Sequence, residues 1–322
     1  MSMSSLAQAK TEKKLPNLTL KRKPLTLQLW KDRWLYLFLL PGLLYFIVFK
    51  YFPMWGVLMS FQNYQPHLGF WNSSWVGTQH FERFFSEPTF WMLSRNTLYI
   101  ALLDLVVFFP ATIILALLLN EIRREMFKRW VQTLVYVPHF LSWVVVVGIS
   151  YILLTTEGGV VNELIAWLGF EKIPFLMSSD WFRPLIILQM LWKDAGWGTI
   201  IFLAALAGVN PQLYEAARID GANRWRLLWH ITLPTIRSVI VILLILRLGN
   251  FLDLGFEQIF LMVNAMNREV GEVFDTYVYT VGIRQGQFSY SAAVGLFKSV
   301  VGLILVFFAN MMAKKYGEEG IF

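Results

Sequence analysis

The chain contains no cysteine among its 322 residues. Disulfides, thiolate metal sites and cysteine nucleophiles are therefore excluded, and the redox compartment stays undetermined. Charged residues are also scarce, at 15% of the chain, whereas hydrophobic residues make up 57%. A soluble domain has about 25% charged residues, so this composition predicts a polytopic membrane protein, with an all-α helix bundle as its fold class.

Several other kinds of site have no support in the sequence. The four histidines lack metal-ligand spacing, and no glycine-rich loop is followed by a lysine that would bind phosphate. Any ATP must therefore be hydrolysed by another chain, and we expect neither a resident cofactor nor an enzyme active site. The formal charge of +7 lies mostly beside the apolar segments, which argues against nucleic acid as a partner. The four histidines are His67, His80, His139 and His230.

Six apolar segments are each close to the ~20 residues that a helix needs to cross the hydrocarbon layer. Residues 1–33 before them are predicted to be a basic cytoplasmic tail, and 34–322 a membrane domain. A cleavable signal peptide is not expected, because the first apolar run is too long and no cleavage site follows it. The predicted spans are 34–52, 96–119, 131–154, 184–209, 234–262 and 290–312.

The distribution of lysine and arginine predicts the orientation in the membrane. With a cytoplasmic N-terminus, eighteen of the 28 basic residues lie inside, seven lie outside and three lie within spans. Cytoplasmic loops are enriched in positive charge, so both termini and the loop before the fifth span are predicted to be cytoplasmic. The seven outer basic residues are Lys50, Arg83, Arg95, Lys172, Arg183, Arg268 and Arg284.

The loop between the fourth and fifth spans has the residue pattern of a short helix. Asn210 can cap it, Pro211 suits its first position, and Gly221 can end it in a left-handed conformation. A second helix is predicted from about Ala222 to a break at Leu233–Pro234. Because the loop is highly charged, it must lie in water rather than in lipid.

The same loop has seven residues at fixed spacing, namely Glu215, Ala216, Ala217, Gly221, Ile231, Leu233 and Pro234. This order resembles the signature loop of the membrane subunits of type I binding-protein-dependent ABC importers, and Asp220 and Ala222 extend the likeness. The resemblance covers about residues 96–313, and the segment before them is similar to the extra first span of carbohydrate-class members. One departure is Ser238, where many members have a second proline.

The resemblance implies a permease driven by a separate ATPase. In such importers the short helix seats in a groove on an ATP-binding subunit, and Glu215 would face a basic residue there. Ala216 and Ala217 would allow close approach, and Asp220 and Gly221 would form the turn that follows. The implied partners are two ATP-binding subunits, a second homologous permease and an extracytoplasmic solute-binding protein.

Six ionisable residues within the spans are candidates for the translocation pathway, since a charge at membrane depth costs at least ~2.5–3.5 kcal/mol unless it is paired or wet. Structural pairing between spans is the alternative. Lys193 and Asp194 project about 100° apart on a helix, so mutual pairing cannot explain both, and at least one is expected to need a partner elsewhere. Asp104 could pair with Lys193 or Arg247. The six are Asp104, Lys193, Asp194, Arg247, Asp253 and Lys298.

The substrate is implied by the resemblance alone. The first-span extension and residues 273–322 are similar to the polysaccharide-importing branch, which includes permeases for alginate and aldouronate pieces. An oligosaccharide is therefore expected, and the three cations within the spans favour an acidic one, although three carboxylates in the same spans oppose this. Two other classes stay open. A secondary transporter or channel would show inverted repeats, and an intramembrane enzyme would need a nucleophile and a base at membrane depth.

Overall fold

The computed structural model describes residues 30–315, so most of the predicted tail 1–33 lies outside the described residues. Within that range the chain is almost entirely helical, and its two short strands, Gln62–Asn63 and Ser74–Trp75, pair antiparallel. The chain forms two units, one ending at Trp55 and the other beginning at Gly56. The predicted all-α membrane fold is confirmed.

Among the described residues, four helices are long and apolar enough to cross a membrane, and two bent pairs bring the number to six if each pair is one span. The predicted six spans match this upper number. The four long helices are Arg33–Phe61, Pro88–Glu121, Ser179–Ala207 and Phe288–Lys315. The bent pairs are Glu125–Phe140 with Trp143–Leu154, and Arg224–Thr235 with Arg237–Gly249.

The third predicted span, 131–154, is wrong as a continuous helix. The chain turns by 101° between Glu125–Phe140 and Trp143–Leu154. Pro138 lies in a short 3-10 turn, Val137–Phe140, that ends the first half. The Ser142 hydroxyl then accepts a hydrogen bond from the Val145 backbone N–H at 3.4 Å and caps the second half. A proline followed by a serine cap is a typical end and restart of a helix.

The fifth predicted span, 234–262, is also wrong as a continuous helix. The helix Arg237–Gly249 ends at Gly249, and a short helix, Phe256–Met262, begins after an irregular segment of residues 250–255. Gly255 has a φ of +72°, a left-handed conformation that glycine adopts without strain. Asp253 therefore lies on irregular backbone and not on a membrane helix.

Three prolines inside the membrane helices follow a widened helical turn. The π-helical turns Ile47–Tyr51, Asp104–Phe108 and Leu228–Thr232 end two residues before Pro53, Pro110 and Pro234. A proline ring clashes with the carbonyl four residues earlier and lacks an N–H, and a wider turn relieves both conflicts. The predicted break at Leu233–Pro234 is present but lies two residues later, since the helix continues to Thr235 and bends by 61° at Ile236.

The segments between the spans are more ordered than the sequence indicates. The predicted loop 53–95 contains the helix Gln79–Ser86, and the second span begins at Pro88 rather than near Asn96. The Tyr290 hydroxyl donates to Glu87 Oε2 at 2.8 Å, which fixes this segment to the last helix. The remaining short helices are Gly69–Asn72, Val160–Trp167, Pro211–Ile219, Arg268–Gly271 and Phe274–Tyr279, the last continued by a π-helical turn, Thr280–Arg284.

Two buried apolar clusters position the site described below. One surrounds Ile100, Phe182 and Ile186 and includes Leu254. The other surrounds Phe202 and Ile236, and the half-buried Tyr214, Ile231 and Leu233 pack against it. Ile100 and Leu254 from the first cluster and Phe202 from the second line the same cavity. The cavity therefore lies between the two clusters.

Candidate functional site

A cavity of about 420 Å³ opens between the second, fourth and fifth spans and the second half of the third. Its walls are mainly apolar, with Phe108, Trp143 and Phe202 among the aromatic side chains. It brings together four of the six predicted pathway residues. The polar residues in its lining are Asp104, Thr112, Asp194, Arg247, Asn250, Asp253 and Gln258. Lys193 and Lys298 do not line the cavity but lie directly behind it, bonded to its carboxylates.

Asp104 and Arg247 form a two-point ion pair across the cavity wall. Arg247 Nε donates to Asp104 Oδ2 at 2.7 Å, and its terminal N–H contacts the other carboxylate oxygen. The guanidinium lies 4.7 Å from the centroid of the Phe108 ring. Arg247 therefore, and not Lys193, is the partner of Asp104. Bidentate pairs of this kind are the strong, directional form of the ion pair.

Asp194 is held by two groups. His139 Nδ1 lies 2.8 Å from Asp194 Oδ1, and Lys193 Nζ lies 3.3 Å from the same oxygen. Lys193 also donates to the His139 backbone carbonyl at 2.8 Å, and the His139 ring stacks on Trp197 at 4.5 Å. Lys193 reaches Asp194 because its long stem folds back along the helix, but each residue also has a second partner at His139, so the prediction that at least one needs a partner elsewhere is confirmed.

Lys298 connects the irregular segment of the fifth span to the last two helices. Its ammonium donates to Asp253 and, at 2.5 Å, to Asp275 Oδ1. The ammonium is mostly buried, whereas Asp253 is exposed. Sequence reasoning missed Asp275, because that stretch reads as an outer loop and not as the helix Phe274–Tyr279. Each predicted pathway residue therefore has an oppositely charged partner, and Lys298 is shared between Asp253 and Asp275.

Two neutral amides were also missed, Gln258 in the cavity wall and Gln189 next to it. The Gln258 side chain donates to the Ile186 carbonyl and to Gln189 Oε1, both at 2.9 Å. Gln189 donates in turn to the Ser150 hydroxyl at 2.8 Å. Gln258 Oε1 is buried and has no hydrogen-bond partner within the described residues. An amide inside an otherwise apolar segment was the available signal, since such a group needs partners in lipid.

The predicted short helix in the loop between the fourth and fifth spans is confirmed as Pro211–Ile219. The Asn210 side chain accepts from the Gln212 N–H at 3.0 Å, as a cap does. Gly221 has a φ of +79°, and the Ala222 N–H donates to the Ala217 carbonyl at 2.9 Å. The next helix begins at Arg224, two residues later than predicted, because Asn223 caps it.

This short helix has one face fixed to the bundle and one face free. The Tyr214 hydroxyl lies 3.0 Å from the Thr232 hydroxyl, and Tyr214 packs beside Ile231 and Leu233. On the free side, Glu215, Ala216, Asp220 and Gly221 are exposed, whereas Ala217 is half-buried. Leu213, Ile219, Trp225 and Trp229 in the same loop are also exposed. Exposed apolar side chains of this kind are typical of protein-binding or membrane-binding surfaces.

Across residues 30–315 no three His, Cys, Asp or Glu side chains are grouped in a way that could hold a metal ion. The chemistry of the cavity is therefore that of hydrogen bonds and paired charges. The family described as the binding-protein-dependent transport system inner membrane component matches residues 109–318. The chain belongs to this family. It is thus the permease of a multi-component transport system, as the signature loop predicts.

The permease is similar to permeases of polysaccharide and oligosaccharide transport systems. The polygalacturonan/rhamnogalacturonan transport system permease protein YteP of Bacillus subtilis (strain 168) is 61% identical over 302 residues, which are 94% of this chain and 94% of that protein. The arabinooligosaccharides transport system permease protein AraP of the same organism is 30% identical over 288 residues, or 88% of this chain and 90% of that protein.

A solved structure shares the fold of the permease. It is a bacterial alginate ABC transporter in complex with an alginate pentasaccharide-bound periplasmic protein, and one of its chains gives a TM-score of 0.86 at 38% identity. The match covers 93% of this chain and 100% of that chain. Membership of a transport family favours the permease over the secondary transporter and the intramembrane enzyme.

Proposed function

We propose that this permease imports an acidic oligosaccharide, with uronate units, through the cavity at Asp104, Asp194, Arg247 and Asp253. The observation that supports this substrate most directly is the 61% identity with a permease named for polygalacturonan and rhamnogalacturonan, over 94% of both chains. The polar residues at the cavity and directly behind it, Asp104, Lys193, Asp194, Arg247, Asp253 and Lys298, are the proposed pathway. No ATP is hydrolysed in this subunit.

The pairing of charges removes an objection to an anionic substrate. Three free carboxylates in the cavity would repel a uronate, but each lies beside a cation. The paired groups still offer oxygen and nitrogen atoms to sugar hydroxyls, and Trp143 and Phe108 offer apolar faces. Such a cavity, apolar with a few convergent polar groups, is typical of small-molecule sites.

The proposed partners are two ATP-binding subunits, which supply the energy for import, a second homologous permease and an extracytoplasmic solute-binding protein. The free face of Pro211–Ile219, with Glu215, Ala216, Ala217, Asp220 and Gly221, would bind a groove on an ATP-binding subunit. Closure of that subunit would then move the fourth and fifth spans, because the helix is fixed between them. An exposed face opposite a fixed face is what supports this coupling role.

The substrate proposal is tested by uptake into proteoliposomes that contain the complete complex. Labelled oligogalacturonate should enter at least about tenfold faster than an arabino-oligosaccharide of equal length. The neutral arabino-oligosaccharide is the second candidate because of the 30% identity with AraP. Faster uptake of the neutral sugar would overturn the acidic assignment and leave the permease role intact.

The proposed orientation, with both termini cytoplasmic, is tested by cysteine labelling. The chain has no native cysteine, so a single introduced one reports its own position. Glu215→Cys should stay unlabelled by an impermeant maleimide in right-side-out vesicles and become labelled after permeabilisation. Trp167→Cys, at a residue that is 81% exposed, should be labelled in both conditions. Labelling of Glu215→Cys in sealed vesicles would contradict the orientation.

A further inference from the structure

An aromatic cluster with one arginine lies beside the cavity and has no part in the contacts described above. Phe256 and Phe260, four residues apart on the short helix Phe256–Met262, stack at 5.2 Å with 20° between their planes. The Tyr279 ring meets Phe260 edge-on at 5.0 Å. Arg284 Cζ lies 5.0 Å from the Phe260 centroid and 5.7 Å from the Tyr279 centroid. The cluster is adjacent to the cavity in the chain, since Gly255 and Gln258 line it.

Arg284 differs from the other outer cations of the permease. Between residues 56 and 315, the sequence places six basic side chains on the outer side, and five of them bond to a carboxylate or an amide oxygen. Within the described residues, the guanidinium of Arg284 has only ring contacts. A guanidinium has five N–H donors that match a carboxylate in two-point geometry. Arg284 is exposed, so these donors can reach a ligand.

The three rings complete a site for a sugar. Phe256 is 37% exposed, and Phe260 and Tyr279 are half-buried. The C–H face of a pyranose is apolar and can pack on a ring of this kind, while a carboxylate on the sugar reaches the cation beside it. A neutral apolar molecule would not use the arginine, and a simple anion would not use the rings. The combination therefore fits a uronate.

We propose that Phe256, Phe260, Tyr279 and Arg284 form an entry site that holds one uronate unit between the solute-binding protein and the cavity. The inference rests on the proposed function for its orientation and its acidic substrate. This entry site gives the oligosaccharide a second contact with the permease, next to the irregular segment 250–255. A multi-unit acidic substrate would then bind the cavity and the entry site with neighbouring units.

The test is uptake of labelled oligogalacturonate by the reconstituted complex with a saturating amount of loaded solute-binding protein. Arg284→Gln should lower the uptake rate roughly threefold to tenfold, as expected for the loss of a charge-assisted, two-point hydrogen bond. Arg284→Lys should recover part of the rate, because it keeps the charge without the fork. Arg95→Gln is the matched control, since its ion pair with Glu269, at 4.0 Å, is exposed and should contribute little.

A second control addresses a carboxylate that is next to the aromatic cluster in the sequence. Glu257 is exposed and adjacent to Phe256 in sequence. If Arg284 acted only through Glu257, Glu257→Gln would lower uptake as much as Arg284→Gln, and this would overturn the proposal. We expect instead that Glu257→Gln leaves uptake unchanged or raises it.

Other outcomes separate the inference from the function on which it rests. Wild-type complex that does not import oligogalacturonate would refute the proposed function. If the Arg284→Gln complex imports oligogalacturonate as fast as the wild type, the entry site is refuted and the proposed function stands. A lower yield of assembled Arg284→Gln complex would show that Arg284 contacts the second permease. A loss of uptake that occurs only in vesicles with anionic lipid would show that Arg284 binds a lipid headgroup. Both results would overturn the entry site.

Discussion

Replacing Glu215 with Ala and Gly221 with Val together is expected to abolish ATP-driven uptake while the permease still inserts into the membrane. Glu215 is exposed and makes no side-chain hydrogen bond or ion pair within the described residues, so its loss should cost the permease little stability. A Cβ atom at position 221 would meet no atom within 4 Å, but a Val there must adopt a φ near +79°. This strain costs about 1–3 kcal/mol and should deform the end of the helix that is proposed to bind the ATPase.

Two comparisons make this result specific to the coupling helix. Gly221→Asn should retain much of the uptake, because Asn tolerates the left-handed conformation that Val does not. The ATPase activity of the double variant should no longer respond to loaded solute-binding protein. Full uptake by the double variant would refute the coupling role of this helix.

Replacing Arg247 with Met is expected to destabilise the permease by about 3 kcal/mol, near the lower end of the range for removing one partner of a buried ion pair. Asp104 would be left mostly buried, with its side chain 14% exposed and without its cation. We expect a loss at the lower end of that range because the Arg247 side of the ion pair borders the cavity, which admits water. Thermal unfolding of the purified complex measures the change, and uptake should fall with it.

The paired variant decides whether the loss comes from an uncompensated charge. Asp104→Asn with Arg247→Gln leaves two neutral groups that can hydrogen-bond to each other, so it should recover most of the stability. Arg247→Lys should lie between the wild type and Arg247→Met, because it keeps the charge but loses the two-point geometry. A paired variant no more stable than Arg247→Met would show that the ion pair does not stabilise the bundle.

Local rules predicted the signature loop well. The cap at Asn210, the proline at the first helical position and the left-handed Gly221 each depend on a few neighbouring residues, and all three are confirmed. The number of spans and the family also followed from the sequence, since hydropathy and a motif with fixed spacing are both readable along the chain.

Features that depend on distant parts of the chain were not predictable in the same way. Asp104 and Arg247 are 143 residues apart, and hydropathy does not say which cation a carboxylate will meet. Asp275 was missed because its helix is too short to show a periodic pattern. The interruption at 250–255 was missed because the residues around it are apolar enough to continue a span. Tertiary packing decides these three features, and a single sequence holds little of that information.

The bond between Tyr214 and Thr232 has a consequence for where the permease can bend. It joins the loop helix to the start of the fifth span, and their shared apolar cluster includes Phe202 and Leu206 of the fourth. The ends of both spans next to this loop therefore form one stiff block, which an ATPase bound to the loop helix would displace as a whole. The flexing must then occur farther along, at the bend near Ile236 and on the open backbone of 250–255. Those few residues would set how far the block can travel in each transport cycle.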